Sequence, residues 1–259
     1  MQNPRAETGD GLRPGNSGKL IEPVPMGDST EPVPEIGLEA AYAAKTPSGN
    51  KTLYEDWAPT YESGFIEYMG YVYHRTVADL FVVHQGEVKG EVLDVGCGTG
   101  IVGVELRRLD IEPIDGIDIS PAMLSNAAAK TNADGEAAYR HLIAADLMQP
   151  LDIADDTYSG VISAGTFTHG HVGPEAFDEM LRVARTGATF ALGINAEHFV
   201  ERGFDAKFAS LVAAGVITEP DLIDIAIYEP DHAANVEGDH FDDRALVAIF
   251  RKLAGAAPV

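Results

Sequence analysis

The residues best arranged for chemistry lie in one short stretch, Val92-Leu93-Asp94-Val95-Gly96-Cys97-Gly98-Thr99-Gly100. Glycine at 96, 98 and 100 removes side chains from a turn, so backbone can approach a ligand closely and the following helix offers it positive N-terminal amides. Asp118 comes 18 residues after Gly100, where a carboxylate at the end of a second strand can accept hydrogen bonds from both hydroxyls of a ribose. Two ligand types compete for this geometry. Gly98-Thr99-Gly100-Ile101-Val102-Gly103 satisfies the GxGxxG pattern of dinucleotide sites, so a nicotinamide-dependent oxidoreductase must be weighed. Asp94 argues the other way: a carboxylate two residues before the first glycine repels a pyrophosphate and attracts a cation such as an ammonium or a sulfonium. A glycine-rich turn with no ligand leaves three alternate glycines and two acids unexplained.

These residues need a scaffold that sets strand ends side by side. Glu91 to Val95 reads as a short apolar strand, Ile101 to Leu109 as a helix and Ile114 to Ile119 as a strand. Pro121 to Lys130 reads as a helix with Ser120 at the N-cap and proline at its first position. Tyr139 to Ala145, Gly160 to Ala164 and Ala188 to Ile194 read as further strands, with a helix over Pro174 to Arg185 before the last. Such alternation implies right-handed crossovers and hence an α/β fold, a doubly wound, mostly parallel sheet covered on both faces. The rhythm breaks after a helix over Asp205 to Ala214. Leu222 to Tyr228 and Ala245 to Phe250 are β-like and flank the acidic stretch DHAANVEGDHFDD, as in an antiparallel hairpin added at the sheet edge.

Upstream of the glycine turn, LEAAYAA can make a short helix that KTPSGNK breaks. An aromatic-rich stretch follows (Tyr54, Trp57, Tyr61, Phe65, Tyr68, Tyr71, Tyr73), and Val77, Leu80, Phe81 and His84 then fall on one helical face. Residues 1–36 are rich in Pro, Gly, Asn and Ser and carry EPVP twice, a composition that cannot build a core and reads as a disordered tail. The domain is therefore expected over residues 37–259, with lid helices over 37–88 and the ligand-binding sheet over 89–259.

Composition narrows the partners. With 18 Lys and Arg against 41 Asp and Glu the net charge is −23, which repels phosphate backbones and anionic leaflets, so neither nucleic acid nor membrane is expected. A hydrophobic content of 45% is ordinary for a globular chain, so the acidity does not signal a disordered polyelectrolyte. A single cysteine, Cys97, excludes an intramolecular disulfide and a cysteine-clustered zinc site. His169-Gly170-His171 suggests a metal pair, but no third ligand is fixed by spacing and no metal is expected. No basic stretch leads into an apolar run at the N-terminus and no run of ~18 apolar residues occurs, so the expected location is cytoplasmic. Oligomeric state leaves no signature.

Val92 to Gly100, Gly116-Ile117-Asp118-Ile119-Ser120 and Ala144-Ala145-Asp146-Leu147 resemble successive motifs of class I S-adenosylmethionine-dependent methyltransferases, and the resemblance runs from about Tyr54 to the C-terminus. Tyr54-Glu55-Asp56-Trp57-Ala58-Pro59-Thr60-Tyr61 resembles the Y-D-x-x-A-x-x-Y lid of small-molecule methyltransferases of the ubiquinone-methylase-like and Williams-Beuren-region type. The resemblance implies S-adenosyl-L-methionine as cofactor and methyl transfer to O, N or C of a small-molecule acceptor. It puts Gly96, Cys97 and Gly98 in the loop under the methionine moiety, with Asp94 near the ammonium. Asp118 would hold the ribose hydroxyls, Ile119 the adenine face and Asp146 the adenine amino group, with Leu147 alongside. Tyr54 and Trp57 either cover the sulfonium or pack the lid. The loop facing the methyl group in this family is Gly165-Thr166-Phe167-Thr168-His169-Gly170-His171, which departs from the N/D-P-P-Y pattern of nucleobase and glutamine-amide methylases. There Thr166 and Phe167 would meet the cofactor, while Thr168, His169 or His171 would meet the acceptor, His169 being the candidate general base. The alternatives are an NAD(P)-dependent oxidoreductase and a non-catalytic module that senses S-adenosylmethionine.

Overall fold

Seven strands pair in one sheet: β1 (Val92–Val95), β2 (Ile114–Asp118), β3 (His141–Ala144), β4 (Tyr158–Phe167), β5 (Ala184–Asn195), β6 (Asp221–Ala226) and β7 (Arg244–Arg251). The computed structural model describes residues 47–67, 69–86, 90–168, 172–229 and 243–255, all within the unit Glu35–Val259. The expected tail, LEAAYAA, His169, His171 and nearly all of the acidic stretch before β7 lie outside the described residues. Strand order is β3-β2-β1-β4-β5-β7-β6, parallel through the first five, with β7 inserted antiparallel between β5 and β6. The chain reverses its direction of winding between β1 and β4, and the crevice beyond the carboxyl ends of the strands at such a point is where ligands bind in open α/β sheets.

Burial explains the strand chemistry. All of β1 is buried, as a central strand covered on both faces must be, whereas the edge strand β3 has exposed and half-buried positions. Side chains of β1 alternate between two cores. Leu93 and Val95 join Phe167, Phe177, Phe190 and Phe204 on one face, while Val92 joins Val77, Phe81, Leu106 and Ile162 on the other.

Among the described residues the helices are α1 (Pro47–Trp57), α2 (Tyr73–Gln85), α3 (Ile101–Arg108), α4 (Pro121–Ala128), α5 (Phe177–Val183), α6 (His198–Glu201) and α7 (Phe204–Ala213). A π-helical turn runs over Tyr61–Ile66 and a 3-10 turn over Pro174–Ala176. Ser120 caps α4 by accepting from the Met123 amide at 3.3 Å, with Pro121 at the first helical position.

Three expectations are corrected. Pro47 to Lys51, expected within a helix-breaking stretch, form the first turn of α1, since proline at a first turn forfeits no intrahelical hydrogen bond. Ala184 and Arg185 belong to β5, which begins directly where α5 stops. Finally, α2 is no lid. Its buried face, His74, Val77, Ala78, Phe81 and Gln85, packs on β4 and β5, which among the described residues of 37–88 leaves the segment before it for that role. Among the described residues no helix is long and apolar enough to cross a membrane, and no group of three or more His, Cys, Asp or Glu could hold a metal ion.

Candidate active site

A pocket of about 810 Å³, open mouth included, lies at the carboxyl ends of β1 to β4. It collects eight of the residues singled out above: Tyr54, Gly96, Gly98, Asp118, Ile119, Asp146, Leu147 and Thr166. The glycine turn is shaped for close approach. Gly96, Gly98 and Gly100 have φ of +66°, +53° and +89°, a region that costs other residues strain. A Cβ on Gly96 would run into Thr166 Oγ1, so this glycine lets β1 and β4 close together. A Cβ on Gly98 would meet nothing within 4 Å, and its open face lines the pocket. The Gly96 and Cys97 amides both donate to the Ile117 carbonyl, at 2.8 and 3.0 Å, fixing the turn to β2.

Asp118 accepts from the amides of Gly98 at 2.9 Å and Ser120 at 2.8 Å. Burial pushes its carboxyl above the usual range, while those amide bonds pull it back. A carboxylate offers about four acceptor positions, so capacity remains for two hydroxyls. Asp146 is oriented likewise, its Oδ1 accepting from the Met148 amide at 2.9 Å. Ile119, Met123 and Leu147 give this end of the pocket an apolar wall suited to a purine face. Thr166 Oγ1 donates to the Val95 carbonyl at 3.0 Å, so its hydroxyl is already committed to the protein.

Four expected contacts are not made by pocket walls. Asp94 is fully buried and absent from the lining; Oδ2 accepts from Tyr139 Oη at 2.7 Å and Oδ1 has no partner. Burial pushes its carboxyl up to about 7, against the lowering effect of the Tyr139 bond. Cys97 is buried against Gly116, where burial and the nearby acids push its thiol up, which suits a small packing residue and not a nucleophile. Phe167 sits in the core with its ring centroid 5.6 Å from Phe177 and 5.8 Å from Phe204. Trp57 is buried against Tyr61 at 5.0 Å and Phe65 at 5.2 Å, so it packs the cover while Tyr54 and Tyr61 face the pocket.

Sequence reasoning missed Tyr61 and Gly165 as pocket walls, and Tyr139 altogether. The signal for Tyr139 lies in glycines: a Cβ on Gly100, Gly103 or Gly116 would each strike its ring, so three elements leave one slot for an aromatic. The third glycine of the dinucleotide-like pattern, Gly103, thus makes room for a tyrosine.

The model of a methyltransferase domain family matches residues 92–187, from β1 into β5. That match, over less than half of the chain, supports a class I S-adenosylmethionine-dependent methyltransferase. Human methyltransferase-like protein 27 is 30% identical over 164 residues, a match that spans 62% of this chain and 64% of that relative's length. Among solved structures, the [4+2]-cyclase SpnF is similar with a TM-score of 0.59 at 19% identity, covering 82% of this chain and 98% of that one. Burkholderia thailandensis 1,6-didemethyltoxoflavin-N1-methyltransferase, solved with 1,6-didemethyltoxoflavin and S-adenosylhomocysteine, has a TM-score of 0.54 at 15% identity, covering 80% and 91%. At such identities the likeness speaks for the fold. The residues present fit the cofactor of this methyltransferase family: an open glycine face, an oriented acid at the end of β2, an apolar purine wall and a buried, unpartnered carboxylate oxygen on Asp94.

Proposed function

We propose that this protein transfers a methyl group from S-adenosylmethionine to O, N or C of a small-molecule acceptor. The observation that carries the reading is the grouping in one pocket of Gly98, Asp118 and Asp146 with the cover tyrosines Tyr54 and Tyr61. Asp118 holds the ribose, Asp146 with Ile119 and Leu147 the purine, and Gly96 and Gly98 let the backbone pass close to the amino-acid end. The cofactor supplies a methyl group bound to a sulfonium, whose displacement disperses charge. The protein then needs chiefly alignment and dryness, and orientation alone is worth up to ~7 to 11 kcal/mol. Tyr54 and Tyr61 cover the pocket against water, and Ala164, Gly165 and Thr166 line it, Thr166 packing against Gly96 of the glycine turn. A net charge of −23 favours a neutral or cationic acceptor over a nucleic acid.

A proton must leave only when the acceptor is a hydroxyl or a protonated amine, and His169, two residues beyond the end of β4, is the base proposed for that case. His169→Ala is then expected to lower turnover ~10²-fold with cofactor affinity preserved. The resemblance to a [4+2]-cyclase shows that this fold does not dictate one chemistry, so the deciding experiment must follow the methyl group. Calorimetry should give binding of S-adenosylmethionine and none of NAD(H), and labelled methyl should appear in a product from an acceptor library. Binding of NAD(H) instead overturns the cofactor; tight S-adenosylmethionine binding with no methylated product from any acceptor favours a sensing module.

A further inference from the structure

Tyr139 takes part in the site without lining the pocket. Its ring fills the slot left by Gly100, Gly103 and Gly116, which belong to the glycine turn, α3 and β2. Its hydroxyl accepts from the Gly103 amide at 3.0 Å and donates to Asp94 Oδ2 at 2.7 Å. Gly103 lies in the first turn of α3, so Tyr139 links the helix N-terminus to the acid of β1. Asp94 Oδ1, two residues before the pocket-lining Gly96, is left buried with no partner. An unsatisfied buried carboxylate oxygen is costly unless something absent from the protein completes it.

We infer that Tyr139 is a positioning residue for the amino-acid end of the cofactor: wedged among three glycines, it fixes one oxygen of Asp94 so that the other serves the ligand's ammonium. The inference rests on the cofactor reading above and adds to it a residue that touches no ligand. Three titratable groups act on Asp94, namely Tyr139 itself, Asp118 and Cys97. Of these only Tyr139 donates a hydrogen bond to it, so losing that hydroxyl disfavours the charged carboxylate.

The test is calorimetry with S-adenosylhomocysteine, which carries the ammonium, and with 5′-methylthioadenosine, which lacks the amino-acid end. Tyr139→Phe keeps the ring in its slot. It should weaken S-adenosylhomocysteine binding about tenfold or more and leave methylthioadenosine binding within about twofold. In wild type the affinity for S-adenosylhomocysteine should rise with pH as Asp94 ionises, and in Tyr139→Phe that rise should move to higher pH. In an Asp94→Asn background, Tyr139→Phe should cost nothing further. Equal losses for both ligands, or an undiminished loss in the Asp94→Asn background, make Tyr139 a packing residue and overturn the inference. Wild type that binds neither ligand overturns the cofactor reading with it, whereas wild-type binding matched by Tyr139→Phe overturns the inference alone.

Discussion

Two buried aspartates on neighbouring strands have opposite surroundings. Asp115 and Asp94 stand next to each other in the β1–β2 ladder, paired in register with Leu93 and Gly116 respectively. Asp115 accepts from Arg140 Nε at 2.9 Å, Arg140 Nη2 at 2.8 Å and Tyr158 Oη at 3.0 Å, and His141 Nδ1 lies 3.2 Å away. Burial pushes its carboxyl up, but the hydrogen bonds from Arg140 and Tyr158 outweigh burial and hold it below the usual range. Asp94 has one donor, an orphaned oxygen and a carboxyl pushed up to about 7. The acid toward the amino end of the strands is saturated by the protein, while the acid toward the carboxyl end is left incomplete. Buried charges that only stabilise are paired, and the one left incomplete, two residues before the pocket-lining Gly96, is the one the inference above gives to the ligand.

The largest expected effect falls on Asp118, which stands between these cases: it is satisfied by amides yet lines the pocket. In the proposed function Asp118→Ala removes charge-assisted acceptors for two ribose hydroxyls, and it releases the Gly98 and Ser120 amides. Affinity for S-adenosylhomocysteine should fall by about 100-fold or more in calorimetry. Next comes Asp115→Ala. Breaking its network should cost about 3 kcal/mol in urea unfolding while leaving cofactor affinity unchanged. A parallel loss of affinity would show that the two sheet ends are coupled and that the comparison is wrong.

The two acids also predict opposite responses to pH. The folded protein holds Asp94 near 7 and the unfolded chain near ~4, so the folded state binds the proton more tightly. Its stabilising contribution is complete below ~4 and is lost as pH rises through 7. Ligand-free Asp94→Asn should therefore gain on wild type by ~1 to 3 kcal/mol between about pH 4 and 8. For Asp115, whose folded carboxyl is depressed, the contribution is present above ~4 and lost as pH falls through the folded value, so Asp115→Asn should approach wild type in acid. Urea titrations of ligand-free protein across that range measure both, and a flat difference for Asp94→Asn sinks the assignment of an incomplete acid.

Legibility in the sequence followed the range of the interactions. The parallel strands, Ser120 as a cap and the pairing of Gly98 with Asp118 are local or periodic, and the chain states them through apolar runs, a proline and glycine spacing. The pocket wall Ile119, Asp146 and Leu147 could be named because each follows directly from a strand end. Asp94 was assigned to the right end of β1, yet its burial beside Tyr139 depends on a residue 45 positions away. Glycine spacing within one loop cannot reveal that Gly103 and Gly116 serve the same ring. The role of α2 was hidden for a similar reason: its apolar stripe fits a lid or a sheet layer equally, and only Gly160, whose Cβ would strike the Phe81 ring, decides for the sheet.

The smallest expected effect concerns the cover. The segment holding Tyr54 and Tyr61 is tied to α4 by Asn126 Nδ2 donating to the Ala58 carbonyl at 2.7 Å and to the turn after α4 by Lys130 Nζ pairing with Glu62 at 2.6 Å. Both partners of the ion pair are partly exposed, and such pairs are worth about 1 kcal/mol or less because solvent screens them. Lys130→Ala should therefore leave the unfolding free energy within about 0.5 kcal/mol of wild type, unlike any change at Asp115. Its effect belongs to opening: a cover held by one contact fewer should release S-adenosylhomocysteine about two- to fivefold faster in stopped-flow displacement. Raising the salt to about 1 M should bring wild type to the variant's rate, since screening removes the same contact. A rate that differs between the two proteins at all salt concentrations would mean that Lys130 acts through packing, and the cover would then belong with the sheet's core.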